Sequence, residues 1–315
     1  VRFWHRVNRR VRRWWYGHRY TPAHWSREDR IGYLEEAVEY LHWQTTSQAA
    51  LLRHLIGPEV NQLPAVRRTR ASFDFQWADI PTGHSMLDNP EFRARAAGYV
   101  TQFTGLPAEW FKGKRVIDVG CGMGRYSWAL STLGAHVVSL DQSEHGLQRT
   151  REACKAYPEH RAIKIDLLGK LPDIEPADLV WSFGVLHHTG DTYRAFQNVV
   201  PLVKPGGYLY LMIYGEPRPH EREDFAELNE YERWRHRTAN LDLTGKLAAI
   251  RRGMAAREFR VSGDEHVHGY FDAISPPIND LHSFEELEGW LLDSGFHNIT
   301  RTVDARNIHV IAQRK

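Results

Sequence analysis

The sequence predicts an α/β fold built on a mostly parallel sheet of seven strands, with a helical extension before it and an inserted lid near its end. Three observations carry this. From Lys114 onward, short apolar runs alternate with helical stretches of about 10–15 residues, the pattern of a parallel sheet covered on both faces. The alternation breaks at a long polar segment, 216–282. Two further runs, FHNITRTVD and NIHVIAQRK, are joined at Ala305-Arg306, a connection so short that one of them must run antiparallel to the rest. The expected division is an N-terminal extension over 1–75 and a main domain over 76–315, with the lid at about 216–282.

Taken in order, Ile31, Leu34, Val38 and Leu41 recur at helical spacing. A second helix through SQAALLRHLI stops at Gly57-Pro58. PAVRRTRASFDFQW, residues 64–77, reads as a linker, and a helix follows from Pro90 to Phe103. KRVIDVG, HVVSLD, RAIKIDLL, ADLVWSFGVL and YLYLMIYG are the first five strands, with KPGG as a tight turn into the fifth. Asp191 stands at the N-cap of the helix DTYRAFQNVVPLV. In the inserted segment EREDFAELNEYERWRHR reads as a helix. Ser283 and Glu286 have the spacing of a capping box for the helix that Gly295 ends.

Composition narrows the class. A hydrophobic content of 42% with 25% charged residues is that of a soluble globular chain. No apolar run approaches the roughly 18 residues of a membrane span. Two cysteines, Cys121 and Cys154, are too few for a disulfide scaffold, and with no secretory signal pattern a cytoplasmic location is expected. The formal charge of +2 does not call for a polyanionic partner. The first thirty residues are an exception, with nine arginines among Trp4, Trp14, Trp15, Tyr16, Tyr20 and Trp25. That arm suits packing on its own domain or on a second subunit. It also suits an RNA or a membrane surface.

VIDVGCGMG, residues 116–124, is a strand that ends in three glycines on alternate positions before a helix. Such a turn lets a ligand approach the backbone, and the helix start favours an anion, phosphate and carboxylate alike. Three details disfavour phosphate. The spacing is not that of a dinucleotide fingerprint, no Lys-Ser or Lys-Thr follows, and Asp118 ahead of the glycines would repel a pyrophosphate but attract an ammonium. Asp141 ends the second strand 17 residues after Gly124, where an acid takes the hydroxyls of a ribose. An amino acid joined to a nucleoside is S-adenosylmethionine.

On these residues the chain resembles the class I S-adenosylmethionine-dependent methyltransferases, in the branch that acts on small molecules. DVGCGMG, residues 118–124, matches the first motif of that family, and SFGVLHHTGD, residues 182–191, matches its post-strand motif. The resemblance implies a Rossmann-like fold whose last strand is antiparallel. It also implies a cofactor site of Asp118, Gly120, Cys121, Gly122, Gly124, Asp141 and Gln142, with Asp166 and Leu167 at the adenine and Ser182, Phe183 and Leu186 after the fourth strand. Cys121 reads as a small filler, since methyl transfer from a sulfonium needs no protein nucleophile.

LHHTGD resembles the Leu-His-His loop of sugar and natural-product O-methyltransferases, where one histidine deprotonates a hydroxyl. Here the pair is His187 and His188, with His188 favoured as base because Leu186 and His187 should face the cofactor. Imidazole has the pKa for that work. Tyr214, His266, His268, Tyr270 and Asp272 are the candidate acceptor contacts, and no metal is expected even though His266-x-His268 is a pattern that metals use. The reading is methyl transfer to a hydroxyl of a small polar acceptor, a sugar or secondary metabolite. The alternatives are an N- or C-methyltransferase on a small molecule, quinone or lipid head group, an RNA methyltransferase using the basic arm, and a binding protein without catalysis. A homo-oligomer through the N-terminal extension is a further expectation.

Overall fold

Five parallel strands set the frame of this computed structural model, which describes Ala49 and residues 52–80, 82–218 and 221–315. They are β1 (Arg115–Val119), β2 (His136–Asp141), β3 (Arg161–Lys164), β4 (Ala177–Phe183) and β5 (Val203–Ile213). β6 (Phe296–Arg301) and β7 (Ile308–Arg314) complete a seven-stranded sheet of order β3-β2-β1-β4-β5-β7-β6. β7 runs antiparallel to both of its neighbours, as the short final connection requires. The order reverses between β1 and β4, so a crevice opens at their carboxyl ends, where such sheets hold ligands. The arm of 1–30, the helix expected over 31–41 and the oligomer contact assigned to the extension lie outside the described residues.

Alternation along the central strands separates two cores. Leu179 and Trp181 of β4 face one side, where Trp181 stacks on Tyr210 with ring centres 4.1 Å apart. Val180 faces the other, with Ile117, Leu211 and Phe196. Helices α2 (Pro90–Thr104) and α3 (Arg125–Thr132) cover the first face. α5 (Thr192–Val199) and α9 (Phe284–Asp293) cover the second, while α4 (Glu144–Ala153) packs beside β2 and β3. Asp191 caps α5 by accepting from the Arg194 amide at 3.0 Å. Ser283 likewise accepts from the Glu286 amide, but the Glu286 carboxylate turns to His282 Nδ1 at 3.0 Å, so the capping box is only half formed.

The segment read as a linker is a helix, α1 (Pro64–Asp79), and the domain boundary drawn at residue 75 falls inside it. Its buried positions are Val66, Thr69, Ser72 and Gln76, a helical stripe made mostly of small polar groups that no apolar periodicity reveals. KPGG is not a separate turn. It lies within β5, where the pairing with β4 slips between Ala177 and Leu179 and Gly206 takes a φ of 76°.

The polar insertion forms α6 (Arg222–Thr238), α7 (Leu243–Ala255) and α8 (Val267–Ile274). These helices carry their own apolar core of Trp234, Ile250, Met254, Phe259 and Phe271. Phe75 of α1 stacks on Phe271 at 5.6 Å and ties the insertion to the helix before the sheet.

Candidate active site

The glycine turn is shaped first by its own protein. Gly120, Gly122 and Gly124 hold φ values of 74°, 53° and 80°, which side chains rarely tolerate. A Cβ at Gly120 would lie 2.3 Å from Val185 Cγ2, and one at Gly122 would lie 2.8 Å from the Trp77 ring. One at Gly124 would meet Thr150 Cα at 2.8 Å. The amides of Gly120 and Cys121 donate to the Leu140 carbonyl at 2.7 and 3.0 Å and bind the turn to the end of β2.

Asp141, the last residue of β2, completes that attachment. Its Oδ2 accepts from the Gly122 amide and its Oδ1 from the Ser143 amide, each at 2.8 Å. Burial raises its pKa while those backbone bonds oppose the rise. Each oxygen retains acceptor capacity, which is what a vicinal diol needs.

Asp118 is 2% exposed. Its Oδ2 accepts from Ser127 Oγ at 2.6 Å, and Ser127 Oγ in turn lies 2.7 Å from Ser139 Oγ. Burial pushes the Asp118 carboxyl up to about 7, with the Ser127 bond opposing and Asp141 adding to the rise. A buried carboxyl held this high is one that a nearby cation would return to its charged form.

Both acids border one cavity of about 420 Å³, within the range of small-molecule sites. Gly120, Cys121, Gly122, Gln142, Asp166, Leu167 and Phe183 border it too. Acidic groups for hydroxyls and an ammonium, beside the apolar Ile165 and Leu167, suit the adenosine and amino-acid parts of the expected cofactor. Asp166 is held by an ion pair to Arg70 of α1 at 2.9 Å, and its Oδ1 also accepts from the Leu168 amide. The Cys121 thiol is buried and pushed well above its ordinary pKa by that burial, consistent with a filler.

Four of the expected cofactor and catalytic residues, Gly124, Ser182, Leu186 and His187, do not reach the cavity wall. Gly124 is packed on Thr150, and Ser182 is 1% exposed within the sheet. Leu186, His187 and His188 form a single 3-10 turn, in which successive side chains point about 120° apart. Only one of them can face the cavity, and it is His188. Leu186 enters the apolar core below the sheet end, contrary to the expectation that it and His187 face the cofactor. His187 is fully buried, with Nδ1 accepting from the Tyr214 amide at 3.3 Å and its ring stacked on Tyr214 at 3.9 Å.

His188 lines the cavity with its tautomer fixed. Nδ1 lies 2.9 Å from the Ile278 carbonyl, an acceptor only, so Nδ1 carries the proton and Nε2 the lone pair. That Nε2 is buried and has no hydrogen-bond partner among the described residues. Burial lowers the imidazole pKa to about 4, so the ring is neutral at physiological pH.

Of the candidate acceptor contacts, Tyr214, His268 and Asp272 line the cavity. The Tyr214 hydroxyl donates to Asp272 Oδ2 at 3.1 Å, and burial raises the Asp272 carboxyl to about 6. The His268 ring receives Gln76 Nε2 at 3.0 Å. His266 and Tyr270 are not in the wall: His266 sits on the turn before α8, and the Tyr270 hydroxyl donates to Glu230 at 2.7 Å. Their alternation with His268 and Asp272 explains this, because neighbours two apart on a helix face different ways.

Sequence reasoning missed Arg70, Phe73 and Trp77, whose i, i+3, i+7 spacing along α1 brings all three to the cavity. It also missed Arg125, Glu227, Tyr231 and Arg306. Glu227 accepts from the Tyr231 hydroxyl at 2.8 Å and from Arg306 Nε at 3.1 Å, which joins α6 to the β6–β7 connection.

Comparison with known proteins gives the kind of domain. Residues 117–209 match the family model described as a methyltransferase domain. The ubiquinone biosynthesis O-methyltransferase of Coxiella burnetii is 35% identical over 104 residues, 31% of this chain and 43% of that protein. That of Hahella chejuensis is 27% identical over 192 residues, covering 52% of this chain and 77% of the relative. The tRNA U34 carboxymethyltransferase of Idiomarina loihiensis is 33% identical over 104 residues, 31% of this chain and 32% of that one. The chain thus spans less than half the length of the first of these relatives. Among solved structures, magnesium protoporphyrin IX methyltransferase from Synechocystis with bound SAH is 18% identical, covers 78% of this chain and 98% of its own, and superposes with a TM-score of 0.47. Among the described residues no helix is long and apolar enough to cross a membrane.

Proposed function

We propose that residues 117–209, which match the methyltransferase-domain model, form a class I S-adenosylmethionine-dependent methyltransferase domain, and that the chain methylates a hydroxyl of a small polar acceptor with His188 as the base. When bound, the cofactor supplies an electrophilic methyl on a cationic sulfur, with a neutral thioether as leaving group. Asp141 would hold the ribose hydroxyls, Asp118 the ammonium, and Leu167 with Ile165 the adenine face.

The observation that carries the acceptor chemistry is the His188 tautomer. On a residue that lines the cavity, a neutral ring whose Nδ1–H is fixed on the Ile278 carbonyl leaves a buried Nε2 lone pair without a partner among the described residues, and a hydroxyl is a donor that would satisfy it. Phe73 packs edge-on against this ring at 4.8 Å and Tyr214 at 5.3 Å, which supports its orientation. Tyr214, Asp272, Glu227 and Arg306 give the acceptor end both donors and acceptors, which favours a polyhydroxylated ring over an apolar one. α1 and α8 both contribute side chains to the wall of this cavity of about 420 Å³, a size that suits a small acceptor.

The test is a His188→Ala variant assayed by transfer of labelled methyl to a panel of sugars, phenols and hydroquinones. The expected result is turnover lowered by roughly 10²–10⁴-fold with S-adenosylhomocysteine affinity retained. Turnover within about threefold of the parent on the same acceptor would remove His188 from the proton transfer.

A further inference from the structure

The β6–β7 hairpin brings to the cavity two polar side chains that the reaction above does not use, Asn307 and His309. His309 is the second residue of β7 and is buried, with Nδ1 2.8 Å from the Tyr210 hydroxyl. Tyr210 is fully buried, and burial raises its pKa well above the ordinary range, so the phenol keeps its proton. That O–H has no other acceptor among the described residues, so it donates to Nδ1; the opposite arrangement would bury a donor without a partner. Burial also lowers the His309 pKa to about 4, so the ring is neutral and its one proton sits on Nε2. Nε2 makes no hydrogen bond among the described residues and, unlike that of His188, is not fully buried. The two imidazoles of the wall thus carry opposite tautomers, His188 with its proton on Nδ1 and His309 on Nε2.

Asn307, just before β7, is half-buried, and its side-chain amide makes no hydrogen bond among the described residues although Oδ1 is buried. Folds rarely leave a buried amide oxygen unclaimed, and this one stands two residues from His309 in the same wall. The sheet order sets β7 three strand spacings, about 14 Å, from β1 and its glycine turn, but only two from β4, whose end leads to His188. The pair therefore belongs to the acceptor side of the cavity. A hydroxyl suits both groups because it accepts and donates at once. A carbonyl or an ether would take the His309 proton and leave the amide oxygen without a donor, and an ammonium would set a cation against an N–H.

We propose that His309 and Asn307 hold a second hydroxyl of the acceptor, distinct from the one methylated, with the imidazole Nε2–H donating to its oxygen and the Asn307 amide oxygen accepting from it. This rests on the hydroxyl reading above and narrows it to an acceptor that carries at least two hydroxyls. Tyr210 is then a positioning residue, which sets the His309 tautomer.

Transfer of labelled methyl to matched acceptors tests it: hydroquinone against 4-methylphenol, catechol against 2-methylphenol, and methyl β-D-glucopyranoside against each of its monodeoxy forms. In at least one pair the parent is expected to favour the member with the extra hydroxyl by roughly 5- to 50-fold in kcat/KM. Asn307→Leu should cut that preference by roughly 3- to 10-fold with thermal stability unchanged or raised, since it removes a buried amide oxygen that the fold does not use. His309→Phe should cut it similarly, and His309→Gln, which keeps a donor, should retain more of it. Nitrogen-15 NMR of the imidazole rings should place the His309 proton on Nε2 in the parent, and Tyr210→Phe should lose both that fixed tautomer and part of the preference. Equal methylation of both members of every pair, or a preference intact in Asn307→Leu, overturns the subsite and leaves His188 as the base. A proton found on His309 Nδ1 overturns it too, as does an Asn307→Leu protein that loses stability and keeps its preference. Transfer to none of these compounds by the parent would sink the hydroxyl reading and the subsite with it.

Discussion

Gly120→Ala separates what the protein demands of the turn from what a ligand demands. The added Cβ would sit 2.3, 2.5 and 2.9 Å from Val185 Cγ2, Cγ1 and Cβ, at a backbone φ of 74°. The left-handed conformation costs an L-residue about 1–2 kcal/mol. Overpacking against a held neighbour adds about 1–3 kcal/mol, so the expected loss is about 2–5 kcal/mol. Val185→Ala removes the two nearest atoms but leaves the 2.9 Å contact and the backbone strain. The double variant should therefore recover about 1–2 kcal/mol and not the whole. Urea unfolding of the parent, both single variants and the double variant gives the coupling directly. Additive effects, within about 0.5 kcal/mol, would refute the clash and mean that Val185 does not constrain the turn.

Two further outcomes follow from the buried titratable groups. With the Asp118 carboxyl at about 7, taking an ammonium requires it to lose its proton, so the bound form holds fewer protons than the free form. S-adenosylhomocysteine affinity should rise from pH 6 to pH 8, by up to about tenfold per unit below 7, and Asp118→Asn should be weaker and lose the slope. For His188, a pKa lowered to about 4 keeps the base form intact as pH falls through the ordinary histidine range. The methyl-transfer rate should then show no acid limb from this group between about pH 5 and 8, and an essential group titrating near 6.5 would contradict the assignment.

The parts of this site that could be read from the sequence are those fixed by a local chemical demand. Asp118, the glycines and Asp141 lie at strand ends, where spacing alone sets their position, and all but Gly124 border the cavity. α1 was hidden because its buried stripe is Val66, Thr69, Ser72 and Gln76, which pack by size and hydrogen bonding rather than by hydrophobicity. Gln76 there reaches His268, and Thr69 Oγ1 receives the Ile278 amide at 3.1 Å, contacts that span about two hundred residues of chain. The same limit applies to Arg306, whose role depends on Glu227 of α6. The histidine pair could be located but not apportioned, because the choice between His187 and His188 depends on a 3-10 turn and on the Ile278 carbonyl that fixes one ring.

Calorimetric titration of the unaltered protein with S-adenosylhomocysteine and, separately, with NAD is the most direct test that a carboxylate-flanked glycine turn selects a nucleoside amino acid. Saturable one-to-one binding of S-adenosylhomocysteine with no heat from NAD is the predicted result. Binding of NAD with none of S-adenosylhomocysteine would contradict it.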